Sequence, residues 1–217
     1  AVTAEANTSH ALAEDGSVYS WGYNGYGELG VNNTTNSSYP VKMQKVSNII
    51  QISAGANHVS MLDADGSVWN VGYNGNGQFG INNTASASLP IQMQDTDGSI
   101  LYGVKEVAAG RYHNVVLKED GTVWTVGNNS GGALGDGTAN NKNVITQVKK
   151  QVTKEENGET VTVAEPITDA KHLAAGAEST YISRQKDKNG NNQGMYAMGA
   201  NTYGELFTKD TKNRAYA

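Results

Sequence analysis

The chain has 217 residues, of which 37% are hydrophobic, enough for one domain with a substantial core. A net charge of -5 with no basic cluster argues against a nucleic-acid-binding surface. Because there is no cysteine, disulfides, thiolate metal sites and cysteine nucleophiles are excluded. No stretch approaches the roughly 18 apolar residues of a membrane-spanning helix, so no membrane span is predicted.

The first pattern along the chain is the phrase GYNGYGELG at residues 22–30, which returns as GYNGNGQFG at residues 72–80. Each copy follows two short runs rich in β-branched and aromatic residues, joined by an Asp-Gly pair. An Asp-Gly pair between two such runs is a strong hairpin signal. A last run, YPVKMQ or LPIQMQ, predicts a further strand with its proline, Pro40 or Pro90, at the first residue.

The same unit recurs at residues 109–135 and, in a worn form, at residues 175–207. The glycines that open the phrase, here called the anchor glycines, are Gly22, Gly72, Gly127 and Gly199. We predict one domain over residues 1–217, with four repeat units at about 1–48, 49–103, 104–169 and 170–217. Each unit has about four short antiparallel strands, and such a sheet covers both its faces only when copies stand side by side.

Two insertions lengthen the later units. Residues 148–165 predict a protruding hairpin that turns at Asn157-Gly158, which places Val152 opposite Val163. The second insertion extends the Asp-Gly type of hairpin in the last unit.

The pattern AxGxxHxxxLxxDGxVxxxGxNxxGxLG, clear in three copies and partial in the fourth, resembles the repeat of the regulator of chromosome condensation family, bacterial type. The resemblance covers nearly the whole chain. It implies an all-β fold, a β-propeller built of four-stranded antiparallel blades. Because such rings commonly have seven blades, four units favour a larger ring that further blades or another chain complete, and a closed four-bladed ring is the alternative.

The resemblance also implies more than one activity. Some relatives are nucleotide-exchange factors for a small GTPase and bind chromatin, a role that the acidic charge of this chain disfavours. Others inhibit β-lactamases with one face of the ring, so enzyme inhibition is a minor alternative.

The glycine phrase has two interpretations, a phosphate-binding loop and a repeated structural corner. A phosphate loop needs a glycine turn that leads into a helix N-terminus. The residues after the first phrase, VNNTTNSSYP, do not start such a helix, and the chain contains no Gly-Lys-Ser or Gly-Lys-Thr. Glycines that recur at matching positions favour backbone geometry, either a positive φ or a close approach of neighbouring chains.

The histidines recur with the repeat. We predict that His10, His58 and His113 share one repeat position, which the fourth unit fills with Ser179. A side chain repeated in every unit suggests a hydrogen bond that fixes each loop, because an enzyme site needs one base only. A zinc site needs three or four convergent ligands, which do not accompany these histidines. We therefore predict a structural role for them and no metal site.

The acidic turns are candidate calcium-binding sites, and the best candidate is the turn at Asp187. Asp187, Asn189 and Asn191 carry alternating oxygen side chains, but the distant glutamate of an EF-hand loop is missing and such residues also favour turns. There is no GxSxG elbow, and Glu28 and Glu205 occupy equivalent repeat positions, which favours a structural role. The sequence predicts no enzyme and no cofactor.

Large side chains in the loops are the predicted binding residues. They are Tyr23, Tyr26, Tyr73 and Tyr203 in loops after the third strand of a unit, with Arg111 and Tyr112 just before His113. Tyrosine and arginine are over-represented in binding hot spots because they add contact area with a polar tip. The alternative is that the tyrosines pack over neighbouring units.

These observations favour a non-enzymatic module that presents loops to a protein partner. The Asn/Thr/Ser-rich composition and the missing cysteines lead us to expect a secreted or cell-surface bacterial protein. One alternative is a glycan-binding module of the cell envelope, because aromatic and Asn-rich loops suit sugars. Another is a purely structural spacer within a long surface protein.

Overall fold

The computed structural model describes all 217 residues, and it consists of β-strands, turns and loops. The strands form five antiparallel sheets. Four of these sheets correspond to the repeats and are called blades 1 to 4 in chain order; the fifth is a two-stranded hairpin between blades 3 and 4. The all-β architecture predicted from the repeat is confirmed. No helix has the length and apolar character to cross a membrane.

The strands of the first two blades follow the order of the chain. Blade 1 contains β1 (Val2–Glu5), β2 (Thr8–Leu12), β3 (Val18–Gly22) and β4 (Ser37–Lys42). Blade 2 contains β5 (Ile49–Gly55), β6 (His58–Asp63), β7 (Val68–Gly72) and β8 (Ala87–Gln92).

The remaining strands keep the same order. Blade 3 contains β9 (Val104–Ala109), β10 (His113–Lys118), β11 (Val123–Gly127) and β12 (Lys142–Gln147). The hairpin contains β13 (Lys149–Glu156) and β14 (Glu159–Pro166), and blade 4 contains β15 (Ala170–Ala175), β16 (Ser179–Arg184) and β17 (Met195–Gly199).

Blade 4 differs from the other three blades at the position of the fourth strand. Its sheet has three strands, and the position of the fourth is marked by a single bridge, in which Gly199 and Arg214 exchange backbone hydrogen bonds of 2.8 and 3.0 Å. This bridge matches the pairing of Gly22 with Ser37 in blade 1. Ala217, three residues after Arg214, donates its N–H to the carbonyl of Lys149 at the base of the hairpin.

The fourth strands begin earlier than predicted. Pro40 and Pro90 are each the fourth residue of their strand, β4 and β8, and not the first. Both strands lie at a sheet edge, and a bulge interrupts their pairing with β3 and β7 at this point. A proline is tolerated there because its missing N–H removes no ladder hydrogen bond.

The apolar core lies between neighbouring blades. Alternate residues of one strand point to opposite faces of its sheet. In β10, Val116 therefore packs in a cluster shared with blade 2, whereas Val115 and Leu117 pack in a cluster shared with blade 4. A third cluster joins blades 1 and 2. Each sheet thus covers the faces of its neighbours, as the repeat predicted.

Polar side chains also join the first strands of consecutive blades. The amide of Gln51 in β5 donates to the carbonyl of Val107 and accepts its N–H, both at 3.0 Å. Glu106 holds the matching position in β9 and accepts the N–H of Leu173 at 2.9 Å. These side chains satisfy backbone groups that face the neighbouring blade, where no strand is paired.

The hairpin between blades 3 and 4 has the register that its turn predicts. Val152 lies opposite Val163, and Asn157 and Gly158 have φ values of 53° and 82°. Two consecutive residues with positive φ are what a two-residue type I′ turn requires.

The Asp-Gly turns fasten each blade to the next. Gly121 has a φ of 83°, and its carbonyl accepts the N–H of Ala170 at 3.3 Å. A Cβ on Gly121 would lie 2.5 Å from the carbonyl oxygen of Thr168, which leads into blade 4. Gly66 accepts an N–H from Val104 of blade 3 in the same way, at 3.1 Å. Glycine is therefore needed both for the backbone conformation and for the contact.

We predict that this contact can be measured by comparing two glycines of similar φ. Gly98 has a φ of 86°, but a Cβ added to it would have no atom within 4 Å, so Gly98→Ala tests backbone strain alone. That strain costs about 1–2 kcal/mol. Gly121→Ala adds the collision with blade 4, which we expect to cost about 1–3 kcal/mol more. Urea unfolding measures both variants, and equal losses would contradict the role given to the contact.

Candidate functional site

The two ends of the blades present different structures. At one end lie the turns between first and second strands, at residues 6–7, 56–57, 111–112 and 177–178, together with the loops that begin at the anchor glycines. This end is called the loop face. The Asp-Gly turns lie at the other end. All of the predicted binding residues fall on the loop face.

A buried asparagine organises each long loop. It stands two residues after the anchor glycine, as Asn24, Asn74, Asn129 and Asn201, and each is fully buried. In blade 2, Asn74 accepts the N–H of Phe79 at 2.9 Å and donates to the carbonyls of Asn83 and Ala85, both at 3.1 Å. The bonds to the N–H five residues on and to the carbonyl nine residues on form in the other three blades, and the bond to the carbonyl eleven residues on recurs in blade 1. The glycine phrase is therefore a structural corner.

Sequence reasoning did not single out these asparagines, although their recurrence was the signal. Each is followed five residues later by a buried Leu or Phe, whose N–H its side-chain oxygen accepts. The anchor glycines themselves have φ values between 103° and 113°. A Cβ on any of them would collide with a carbonyl oxygen of the neighbouring turn. Both features that favour glycine meet at this position.

Four tyrosine rings form a continuous row across the loop face. Tyr23 and Tyr26 have ring centroids 6.4 Å apart, Tyr26 and Tyr73 4.9 Å, and Tyr73 and Tyr112 5.8 Å. All three pairs are edge-to-face, with interplanar angles of 64–68°. The guanidinium of Arg111 lies 5.3 Å from the centre of Tyr112. These four rings, with Arg111 at one end, are called the tyrosine row.

The row brings together residues from three blades. Tyr23 and Tyr26 come from the long loop of blade 1, Tyr73 from the long loop of blade 2, and Tyr112 from a turn of blade 3. Of the six predicted binding residues, Tyr203 alone stands apart. It lies on blade 4, is 90% exposed and takes part in no ring pair.

Local packing holds the row in place. The rings of Tyr23 and Tyr73 lie over Gly25 and Gly75, where any Cβ would collide with them. Buried Glu28 accepts the N–H of Tyr26 at 2.9 Å, and burial raises the pKa of this carboxyl group. Each ring is therefore carried by a backbone that the fold fixes before any ligand arrives.

Two histidines join consecutive blades below the loop face. His58 Nε2 lies 3.1 Å from Asn114 Oδ1 of blade 3, and His113 Nε2 lies 3.1 Å from Thr180 Oγ1 of blade 4. Both rings are buried. The glycine three residues before each histidine leaves room for its ring, because a Cβ there would collide with the imidazole.

His10 does not share this position, so the predicted alignment of blade 1 is wrong by two residues. The ladder pairs Thr8 with Gly22, as it pairs His58 with Gly72. His10 pairs instead with Ser20, and its Nδ1 lies 2.8 Å from the Ser20 hydroxyl. The spacing to the Asp-Gly turn carries the missed signal, since His10 precedes Asp15 by five residues but His58 precedes Asp65 by seven.

The acidic turn at Asp187 is closed by its own hydrogen bonds. Its Oδ1 accepts the N–H groups of Asn189 and Asn191, both at 2.9 Å, and its Oδ2 accepts the side-chain amide of Asn191 at 3.1 Å. The arrangement is that of an Asx-type turn. No three His, Cys, Asp or Glu side chains converge anywhere in the structure.

Family models match the repeats directly. The model described as the regulator of chromosome condensation (RCC1) repeat matches residues 15–62 and 65–117, and a second model of that description matches residues 104–133. Together they cover more than half of the chain. The chain belongs to the RCC1 repeat family.

Solved structures show the same fold. Human WBSCR16 matches with a TM-score of 0.77 and 18% identity, over 100% of this chain and 51% of that one. Prp20p from Saccharomyces cerevisiae matches with a TM-score of 0.73 and 19% identity, over 100% and 49%. The structure of the same yeast protein bound to Kap60 matches with a TM-score of 0.70 and 20% identity, over 100% of this chain and 47% of that one. This RCC1-repeat chain is a β-propeller that spans about half the length of these proteins.

Charge is sparse around the tyrosine row of this RCC1-repeat protein. Tyr23, Tyr26 and Tyr73 lie in two long loops. Residues 22–30 and 72–80 of these loops contain one charged residue in total, the buried Glu28. Near the row, burial raises the pKa of Glu5, while the charge of Arg111 acts to lower it. Depletion of charge with enrichment of aromatic rings is typical of the core of a protein interface.

The buried histidines make stability depend on pH. Burial lowers the pKa of His10, His58 and His113 to about 4, from an ordinary value of 6.5. The folded protein therefore keeps these rings neutral at pH values where the unfolded chain binds protons. Stability is fully present above pH 6.5 and is lost as the pH falls towards the folded-state value.

We predict a fall in the free energy of unfolding between about pH 6.5 and about pH 4.5, on the order of 1–3 kcal/mol per histidine. Denaturant unfolding across this interval measures it. His113→Gln should flatten the pH dependence, whereas His172→Gln, whose parent side chain is 65% exposed, should leave most of it. An unchanged slope in His113→Gln would show that the buried ring is not its source.

Proposed function

We propose that this RCC1-repeat protein is a non-enzymatic interaction module that binds a protein partner through the tyrosine row. The observation that supports this most directly is the continuity of the row. Four rings from three blades touch in sequence and end at an exposed arginine. Tyrosine, tryptophan and arginine dominate binding hot spots, where rigid rings bury large areas at little entropic cost.

Solvent exposure supports the same proposal. Tyr23 and Tyr26 are 38% and 42% exposed, although they also pack on each other. The known relatives point the same way, since the yeast structures concern binding of Prp20p to Gsp1p and histones and its complex with Kap60.

The polar groups of the propeller favour binding over catalysis. His58 and His113 are buried and engaged between blades, so neither is free to act on a substrate at the loop face. The net charge of -5 favours a protein partner over a nucleic acid. The composition is rich in Asn, Thr and Ser and lacks cysteine, which supports our proposal that this is a bacterial protein that is secreted or lies at the cell surface.

We also propose that a further blade, from the same or another chain, docks beside blade 4. At the three junctions between blades, a loop glycine touches the fourth strand of the next blade or, in blade 4, the segment at that position: Gly27 meets Ser88, Gly77 meets Asn143, and Gly132 meets Ala215. Gly204 holds the same position in blade 4, where nothing lies within 4 Å of a Cβ. Beside it, Phe207 is 80% exposed and has a φ of 57°.

Phe207 strengthens this second proposal because it occupies a position that is glycine in the other blades. Gly30, Gly80 and Gly135 have similar φ values, between 62° and 68°. A large apolar ring held in that conformation at the surface is both strained and exposed, which is typical of a contact site.

We predict that affinity capture from extracts and surface fractions of the producing cells retains a protein on the wild-type chain, and at least tenfold less of it on a Tyr26→Ala/Tyr73→Ala variant. Removing two adjoining rings removes hot-spot contacts of the row. Tyr39→Ala is the matched control, because Tyr39 is 68% exposed but lies outside the row. Retention of the same protein by the double variant would contradict the proposal. Capture abolished by periodate, with glycan-array hits that need Tyr23 and Tyr73, would favour the glycan alternative.

The docking of a further blade can be tested by adding one. Ala217 matches the position of Pro40, since Gly199 pairs with Arg214 as Gly22 pairs with Ser37. A copy of residues 41–103 fused after residue 217 should therefore form a fifth blade and raise the urea midpoint. Gly204→Val should abolish this gain, because the new side chain blocks the incoming strand.

Gly190→Val is the matched control for that experiment, because Gly190 has a φ of 81° against 83° for Gly204 and also has no neighbour within 4 Å. It should lower stability with and without the fused blade by the same amount. A fusion that adds no stability, or a gain that Gly204→Val leaves intact, would refute the docking proposal.

A further inference from the structure

We propose that the tyrosine row binds an extended, proline-rich segment with an acidic residue at one end. This inference rests on the proposed function and names the chemistry of the partner. The rings of the row are tilted against one another. Because neighbouring rings make angles of 64–68°, adjoining ring faces meet at an angle, and we call the corner between two such faces a notch.

The notches suit pyrrolidine rings. A proline ring is compact and apolar, and it packs between aromatic faces in the grooves of proteins that recognise proline-rich segments. A sugar ring, by contrast, stacks flat on an aromatic face, and a chain of sugars stacks on neighbouring rings most readily when their faces are close to coplanar. No two neighbouring rings of the row are close to coplanar, so the geometry favours proline over a glycan.

The spacing of the row accommodates the repeat of a polyproline II helix. Centroid steps of 6.4 and 4.9 Å keep Tyr23 and Tyr73 within about 11 Å of each other, and one polyproline turn advances about 9 Å over three residues. Tyr26 and Tyr112 are related in the same way through Tyr73, by steps of 4.9 and 5.8 Å. Prolines three residues apart can therefore meet alternate rings along the row.

Hydrogen bonding and entropy also favour this ligand. Each tyrosine hydroxyl can donate to a carbonyl, and the backbone carbonyls of a polyproline II helix have no internal partners. The segment is already extended before it binds, so little conformational entropy is lost. The long loops around the row carry no exposed charge between residues 22–30 and 72–80, which suits an uncharged ligand.

Arg111 gives the row a charged end. Its side chain is exposed and lies over Tyr112, while its backbone is held by hydrogen bonds of 3.1 Å to Ala56 and Ala177. Glu5 is the carboxylate whose pKa the charge of Arg111 acts to lower, and it is the last residue of β1 in blade 1. A carboxylate that approaches from solvent complements this exposed guanidinium, so we place the acidic residue of the ligand there.

Fluorescence anisotropy with three labelled peptides tests the inference. They are nine prolines followed by aspartate, nine prolines followed by lysine, and a Gly-Ser repeat of equal length ending in aspartate. We expect the first to bind at least tenfold more tightly than the Gly-Ser peptide and severalfold more tightly than the lysine peptide. Tyr26→Ala/Tyr73→Ala should weaken its binding at least tenfold, Tyr39→Ala should leave it unchanged, and Arg111→Ala should remove the preference for aspartate over lysine.

Three results would overturn the inference: equal binding of the proline and Gly-Ser peptides, binding that survives loss of both tyrosines, or tyrosine-dependent binding of N-acetylchitohexaose in place of the peptides. Its failure is distinguishable from failure of the proposed function. Tyrosine-dependent capture of a cellular protein, together with no binding of the proline peptides, would leave the interaction module intact and reject the proline-rich ligand alone.

Discussion

The fold depends on close backbone contact between consecutive blades, which glycine alone permits. At Gly16, Gly66 and Gly121, in the turns between the second and third strands of blades 1 to 3, the chain bends with a positive φ, and the glycine carbonyl accepts an N–H from the first strand of the next blade. Apolar clusters shared by two blades lie between these contacts. A single blade therefore buries neither face of its sheet and leaves its inner polar groups without partners. The stability of such an array is approximately the sum of the stabilities of its blades and of the contacts between neighbouring blades.

The same requirement explains which side chains remain available for function. His58, His113 and the loop asparagines satisfy polar groups in the interior, so residues that look chemical in the sequence are engaged by the architecture. Glu28 shows this at the row itself, because its buried carboxylate holds the backbone of Tyr26. The tyrosines differ in that their hydroxyl-bearing rings reach the surface. Function is thus left to residues whose backbone is fixed and whose side chains are partly free.

Local patterns in the sequence predict the parts of the fold that depend on local geometry. Asp-Gly and Asn-Gly turns indicate the hairpins, including the register that places Val152 opposite Val163. The errors arise where a signal has to be aligned over distance. Residue type matches His10 to the other histidines, although its spacing to Asp15 assigns the shared position to Thr8. Pro40 resembles a strand start, because a bulge at a sheet edge leaves no mark in the sequence. The row itself is beyond the reach of sequence patterns, since Tyr112 meets Tyr73 only after two different blades pack.

The way the row is assembled has a consequence for binding. Its rings come from three blades, so the steps from Tyr26 to Tyr73 and from Tyr73 to Tyr112 are set by the two junctions between those blades, and only the step from Tyr23 to Tyr26 lies within one loop. A ligand that contacts the whole row gains its full affinity only when both junctions are formed, and by linkage its binding stabilises those junctions. A ligand that contacts Tyr23 and Tyr26 alone touches one blade and gains nothing from the junctions. Because the row extends over three blades, the affinity for a ligand that contacts all of it depends on the packing of those blades. The affinity of an aromatic loop on a single blade would not depend on that packing.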